Sequence, residues 1–217
     1  MDNIDLPEDY KVGFKYFMGT KIDLSKKPLI PREETEYWVS SALKEIKARK
    51  NPRCLDLFSG SGCIGVAILK KTEESFCDFG DKENSFLEQI KINLEINGIL
   101  KERYDIVKTD IFSNIKKKYD FILANPPYVA LSRIGEVRED VRRHEPSVAL
   151  LGGEDGLDLI RGFLLKAREF LKEKGVVFME FDEEQKKEIE RILEKNYSKT
   201  DFFKDQFNKY RFLRLEK

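Results

Sequence analysis

Along this chain, short fully apolar runs alternate with segments whose apolar positions recur every three or four residues, the pattern of buried strands interleaved with amphipathic helices. Arg53 to Phe58, Ser75 to Gly80, Tyr104 to Lys108, Asp120 to Ala124 and Gly175 to Phe181 read as strands. The helices expected between and around them start with one from the Pro31 region to about Arg49. Trp38, Leu43 and Ile46 form its inner face, and Asn51-Pro52 closes it. Cys63 to Lys71 and Glu83 to Asn97 follow, the latter with Phe86, Ile90 and Leu94 on one face and Gly98 as its stop. Leu157 to Leu171 is a further helix, and Asp182 to Gln185 has the spacing of a capping box that opens the last one, to about Lys195. Thr200 to Lys204 and Tyr210 to Leu215 read as a terminal hairpin. The sum is an α/β fold with a mostly parallel sheet to which the hairpin adds an antiparallel strand. Residues 1 to 30 are short apolar pieces broken by Gly13, Gly19 and Pro28, as in a small hairpin or lid. Residues 129 to 158 lack periodicity, which favours a functional loop.

The apolar run ending at Ala124 is stopped by Asn125-Pro126-Pro127-Tyr128. Neither proline can donate a ladder hydrogen bond, so the strand ends there and leaves the Asn125 amide and nearby carbonyls at the carboxyl edge of the sheet, where open α/β sheets bind ligands. Upstream, Ser59-Gly60-Ser61-Gly62 turns from the first strand into a helix, a place where a ligand approaches backbone and free N–H groups at the helix start. No lysine follows these glycines as a phosphate loop requires, so the expected ligand lacks phosphates. Asp81, about 20 residues on, is suited to ribose hydroxyls, or is a cap for the next helix. Asp110 suits an adenine amino group with Ile111 or Phe112 covering the ring, or is a solvated loop residue.

Composition narrows the partners. With 40 basic and 40 acidic residues among 217, no net field draws nucleic acid or membrane, and recognition must be local. Cys54, Cys63 and Cys77 form no CxxC pair, which argues for reduced thiols in the cytosol and against a zinc site. His144 is the single histidine, so no metal is expected and a packing or hydrogen-bonding role is preferred for it. No signal peptide and no membrane-length apolar stretch is read.

A ribose-binding acid beside Asn-Pro-Pro-Tyr points to S-adenosylmethionine and to methyl transfer onto nitrogen. An amide or aromatic amino nitrogen has a delocalised lone pair and is a poor nucleophile. The Asn125 oxygen and the Pro126 carbonyl would accept its two N–H groups, contacts that strengthen as positive charge develops. Tyr128 would stack on the planar amide or base.

These residues resemble the HemK/PrmC family of protein glutamine-N5 methyltransferases, which modify the glutamine of the Gly-Gly-Gln motif in peptide chain release factors. The resemblance covers residues 16 to 217. It rests on Tyr16-Phe17-Met18-Gly19, Leu29-Ile30-Pro31-Arg32 through Glu36, Asp56 to Gly62, Asp81 with Asn93, Asn125 to Tyr128, Glu145-Pro146, Ala149-Leu150, Gly152-Gly153, Asp155-Gly156-Leu157, and Lys204-Asp205 to Arg211. It implies a Rossmann-like class I S-adenosylmethionine-dependent methyltransferase with a seven-stranded sheet. Residues 1–50 would form the hairpin or lid with a leading helix, and 51–217 the methyltransferase domain.

It further implies cofactor contacts from Asp56, Phe58, Ser59, Gly60, Ser61, Gly62, Asp81, Asp110, Ile111, Phe112 and Asn125. Asn125, Pro126, Pro127 and Tyr128 would be catalytic and would bind substrate with Arg32, Glu36 and Glu145. The partner would be a release factor, met by a cytoplasmic monomer that binds no nucleic acid stably. Three departures stand out: the family's N-terminal helical domain is absent, Phe58 replaces a common glycine, and Asp182 replaces another after Glu180. The alternative is N-methylation of a flipped-out adenine or guanine, with Lys116-Lys117-Lys118 and Arg142-Arg143 as local phosphate contacts. A third reading is a ribosome-associated binding module without turnover.

Overall fold

The computed structural model describes residues 6–193 and 197–217. The chain opens with a short helix, Glu8–Val12 (α1), and a hairpin of Phe14–Phe17 (β1) and Thr20–Asp23 (β2). Met18 and Gly19 both take positive φ at its tip, which matches the twist of the two strands. Glu33–Lys47 (α2) follows, with Glu33, Glu34 and Glu36 in its first turn, where acids complement the helix dipole.

Then strands and helices alternate: Arg53–Leu57 (β3), Cys63–Lys71 (α3), Phe76–Asp81 (β4), Asn84–Ile96 (α4), Tyr104–Lys108 (β5) and Tyr119–Ala124 (β6). The expected loop of residues 129–158 contains one short helix, Glu139–His144 (α5), flanked by three-residue-per-turn segments at Leu131–Glu136 and Ser147–Ala149. Asp158–Ala167 (α6), Leu171–Glu180 (β7), Lys186–Leu193 (α7), Lys199–Lys204 (β8) and Tyr210–Glu216 (β9) complete the chain.

Seven strands form one sheet in the order β5-β4-β3-β6-β7-β9-β8, parallel except for β9, which runs antiparallel to both its neighbours. Successive strands step outward from β3 to β5, and the chain then returns to place β6 on the other side of β3. The order therefore reverses between β3 and β6, and a crevice opens at their carboxyl ends. Leu57 and Ala124 are paired in register, so both strands stop at the same level.

Alternation along the central strands divides the core. Cys54, Phe79, Phe121, Leu123 and Phe178 face α2, α3, α4 and the hairpin, while Leu55, Leu57, Ile122, Ala124, Val177 and Met179 face α6 and α7. Buried on both faces, these strands have the continuous apolar sequence from which they are legible.

Two boundaries differ from expectation by about a helical turn. α6 ends at Ala167, and β7 begins at Leu171, four residues before Gly175. Leu171 still pairs with Tyr119, and the register shifts before Val176 meets Phe121. The polar stretch Lys172 to Lys174, with Lys174 at φ +60°, hides this start, because a bulge has no period-2 signature. The expected end of the last helix at Lys195 lies outside the described residues.

Candidate active site

The turn after β3 and the acid ending β4 are bonded to each other. Asp81 accepts the Gly60 N–H at 2.8 Å on one oxygen and the Glu83 N–H at 3.0 Å on the other. It is thus both the partner of the glycine turn and the anchor of the turn into α4. Burial pushes its carboxyl above the ordinary range, against the pull of these backbone donors.

The N–H groups expected to be free at the start of α3 are largely taken. Gly62 donates to Ser59 O, Cys63 to Ser61 Oγ, and Gly65 to Asp56 Oδ2. A turn so satisfied is a poor anion cradle, which agrees with a ligand that lacks phosphates.

A partly open cleft lies over this turn. Phe58, Ser59, Gly60, Ser61, Asp81, Asp110, Ile111 and Asn125 line it, joined by Leu29, Thr35, Phe86, Val148 and Leu159. Phe58 at φ +58° and Ile111 at φ +52° are both held in the left-handed region. A glycine would sit at Phe58 without strain, which accounts for glycine being common there. Phe58 is kept by its ring, packed 6.2 Å from Phe163. Lys82 and Asp110 pair at 2.9 Å at the exposed rim.

A second, larger groove of about 1960 Å³, open to solvent, runs along Pro126, Pro127, Tyr128, Val137, Arg161 and Arg211. Asn125 and Pro127 border both spaces, with Leu29, Arg32 and Ala149 at the same junction. The cleft over the glycine turn and the open groove thus share one wall.

The loop 125–128 is braced from behind. Val129 donates to Leu150 O and Gly152 to Val129 O, so residues 150–152 lie alongside the loop as a short parallel bridge. A Cβ on Gly152 would come within 2.5 Å of Pro127 O, so only glycine permits this approach. Gln185 donates to Tyr128 O and Gly156 O, both at 2.9 Å. Asp182 has φ −80°, where any residue is comfortable, and its side chain caps the turn that carries Gln185. Its substitution for glycine is therefore a gain of a cap without strain.

Several expected contact residues stand elsewhere. Phe112 points into the core, stacked 4.4 Å from Phe170 and 5.5 Å from Phe163, so of this pair only Ile111 lines the cleft. Glu36 lines neither space and accepts the Met18 N–H at 2.6 Å, fastening the hairpin to α2. Glu145 also lines neither. It is buried, accepts the Ile30 N–H at 3.1 Å and pairs with Arg32, and so holds Arg32 at the junction. Asp56 and Gly62 lie beneath the turn. Asn93 ties that turn to the hairpin, donating to Ser61 O at 2.8 Å and to Asp23 O at 3.2 Å.

Lys117 pairs with Asp78 and Asp105 near the amino end of β6, the edge opposite Asn125, and is unsuited to hold a strand at this site. His144 is half-buried, with its Nε2 unpartnered among the described residues. Among the described residues no cluster of His, Cys, Asp or Glu is placed to hold a metal ion. No described helix is long and apolar enough to cross a membrane.

Sequence reasoning missed a network behind Asn125. Its Nδ2 lies 3.3 Å from Thr35 Oγ1, and Thr35 donates to Glu180 Oε2 at 2.7 Å. Trp38 Nε1 donates to the same oxygen at 2.7 Å, and the Tyr128 hydroxyl lies 3.3 Å from Glu180 Oε1. Burial raises the Glu180 carboxyl, partly offset by the donors Thr35 and Trp38. Burial and then Glu180 raise the Tyr128 phenol, which stays protonated. The available signal was the acid in the otherwise apolar run Val176 to Phe181.

The methyltransferase small domain family matches this chain over residues 40–140. Curated relatives extend the match. The release factor glutamine methyltransferase of Thermodesulfovibrio yellowstonii is 37% identical over 190 residues, which is 86% of this chain and 67% of that protein. Its counterpart in Rhodopirellula baltica is 31% identical over 214 residues, 95% of this chain and 72% of that one.

The chain belongs to the release factor glutamine methyltransferase family.

Solved methyltransferases share the fold. One from Pyrococcus furiosus superposes with a TM-score of 0.66 at 16% identity, covering 91% of this chain and 89% of that one. A 16S rRNA N2 methyltransferase from T. thermophilus, in complex with AdoMet and guanosine, gives 0.66 at 16% identity over 94% of this chain and 49% of that one. Family membership and fold together make this chain a methyltransferase, and they give the junction at Asn125 a chemical meaning.

Proposed function

We propose that this protein transfers a methyl group from S-adenosylmethionine to the side-chain amide nitrogen of the glutamine in the Gly-Gly-Gln loop of a peptide chain release factor. The observation that carries this reading is the shared wall: Asn125 and Pro127 border both the cleft over the glycine turn and the open groove.

The residues of the cleft fit the cofactor. Asp81 has lone pairs left for ribose hydroxyls, and Ile111, Phe86 and Leu29 offer apolar surface to a purine. Asp56 Oδ1 is buried with no hydrogen-bond partner among the described residues, an acceptor left over beneath the turn and suited to a cationic amino group, directly or through water. When bound, S-adenosylmethionine supplies an electrophilic methyl on a sulfonium.

The protein's part is to hold and polarise the nitrogen. A glutamine entering from the groove presents its NH2 to Asn125 Oδ1 and to the Pro126 carbonyl, which no described residue engages. Accepting both N–H bonds draws the lone pair out of conjugation. It also stabilises the positive charge that grows on nitrogen, a gain realised mainly in the transition state. The charged product nitrogen is acidic and loses its proton to water without a dedicated base. Tyr128 and Pro127 form the walls that exclude water and fix the amide plane. Residues 51–217 are the catalytic domain in this reading, and residues 1–50 roof the cleft through Leu29 and Arg32.

Mass spectrometry tests the reading. A release factor incubated with enzyme and S-adenosylmethionine should gain one methyl on the Gly-Gly-Gln peptide, at glutamine. A methyl at any other residue, or none, refutes it.

A further inference from the structure

Behind Asn125, hydrogen-bond chemistry leaves one way for the protons to lie. Glu180 is 2% exposed, ends β7, and receives two donors at Oε2, Thr35 Oγ1 and Trp38 Nε1, each at 2.7 Å. A threonine hydroxyl has a single proton, and Thr35 uses it on this carboxylate. Toward Asn125, 3.3 Å away, Thr35 can therefore only accept. The Asn125 amide must then turn Nδ2 to Thr35 and Oδ1 away from it, to the side where the two spaces meet.

We propose that Thr35 and Glu180 are positioning residues that set the polarity of the Asn125 amide, so that an oxygen and not an NH2 meets the incoming nitrogen. The proposal rests on the reading that Asn125 accepts an N–H from the substrate amide. A reversed Asn125 has nearly the same shape but presents donor to donor, so shape alone cannot protect the reaction. The same carboxylate receives the Tyr128 hydroxyl and the indole of Trp38, which is wholly buried. One buried acid thus orients the amide and fixes the wall residue of the groove together. Glu180 has no salt-bridge partner among the described residues; three neutral donors hold its charge, helped at longer range by the Arg211 guanidinium.

Four substitutions separate polarity from packing. In Thr35→Val neither orientation of the amide finds a partner on that side, so the bias is lost and the amide is free to reverse. Turnover should fall about tenfold to a hundredfold, with the dissociation constant for S-adenosylmethionine and the melting temperature little changed. Thr35→Ser keeps the hydroxyl and should restore turnover to within about threefold of wild type. Glu180→Gln keeps an oxygen for Thr35 and Trp38 and turns its NH2 to Tyr128, which can accept. It should therefore retain the Asn125 polarity that Glu180→Leu loses.

A readout independent of turnover is the side-chain amide of Asn125 in 15N-labelled protein. One N–H should be shifted and protected from exchange in wild type and Thr35→Ser, and both should exchange freely in Thr35→Val. Full turnover in Thr35→Val, equal damage in Thr35→Ser, or an unchanged Asn125 signal in Thr35→Val overturns the proposal. If wild type methylates no release factor but the Asn125 signals still separate as described, the substrate reading fails and the polarity assignment stands.

Discussion

The Gly60 N–H donates to Asp81 Oδ2 at 2.8 Å, so the turn after β3 and the acid ending β4 are one unit. Asp81→Ala removes the proposed ribose acceptor and loosens the turn at once. Hydrogen bonds to charged groups contribute about 1.5–3 kcal/mol, so cofactor affinity should fall about tenfold to a hundredfold. Calorimetric titration with S-adenosylmethionine checks this, and an unaltered dissociation constant would leave Asp81 with only its backbone role.

Asn125→Ala should behave in the opposite way. Cofactor affinity should change little, while turnover at saturating cofactor falls at least about a hundredfold, as expected for one lost transition-state acceptor. Unchanged turnover would remove Asn125 from the mechanism.

Asp56 offers a test by pH. Burial raises its carboxyl well above the ordinary range, against the Gly65 N–H that favours the charged form. A folded-state pKa above the unfolded one means that the folded protein holds the proton more readily. Ionising Asp56 therefore costs more in the folded than in the unfolded chain, a penalty that shrinks as pH falls below the raised value and is gone below the ordinary carboxylate range. Asp56→Asn should be more stable than wild type at about pH 7.5, on the order of 1 kcal/mol, with the difference shrinking toward acid. Urea midpoints measured across that range decide it, and a difference independent of pH would contradict the assignment.

Gly152→Ala should destabilise the protein by about 1–3 kcal/mol and depress turnover, since its Cβ meets the backbone of Pro127 and Gly156. Gly135, which has open space around it and no positive φ, supplies the control. Gly135→Ala should match wild type in both stability and turnover. Equal behaviour of the two variants would show that the brace behind residues 125–128 is dispensable.

The sequence makes the scaffold legible because strands buried on both faces are written as unbroken apolar runs, and Pro126-Pro127 marks where one must stop. The glycine turn and Asp81 are legible for the same reason: each sits at the end of such a run. What hides is whatever depends on a partner far along the chain. Thr35 looks like an ordinary helix residue until Glu180, 145 positions on, receives its proton. Glu145 looks like a substrate contact until Arg32 and the Ile30 N–H occupy it. Phe112 and Ile111 are adjacent apolar residues, and only the positive φ of Ile111 decides which one faces the cleft.

The most direct test of the central claim is transfer of labelled methyl from S-adenosylmethionine to three acceptors side by side: a release factor, the same factor with its Gly-Gly-Gln changed to Gly-Gly-Ala, and total cellular RNA. Label on the unaltered factor alone is the predicted result. Label on the Gly-Gly-Ala factor, or on RNA instead of protein, would contradict glutamine as the acceptor.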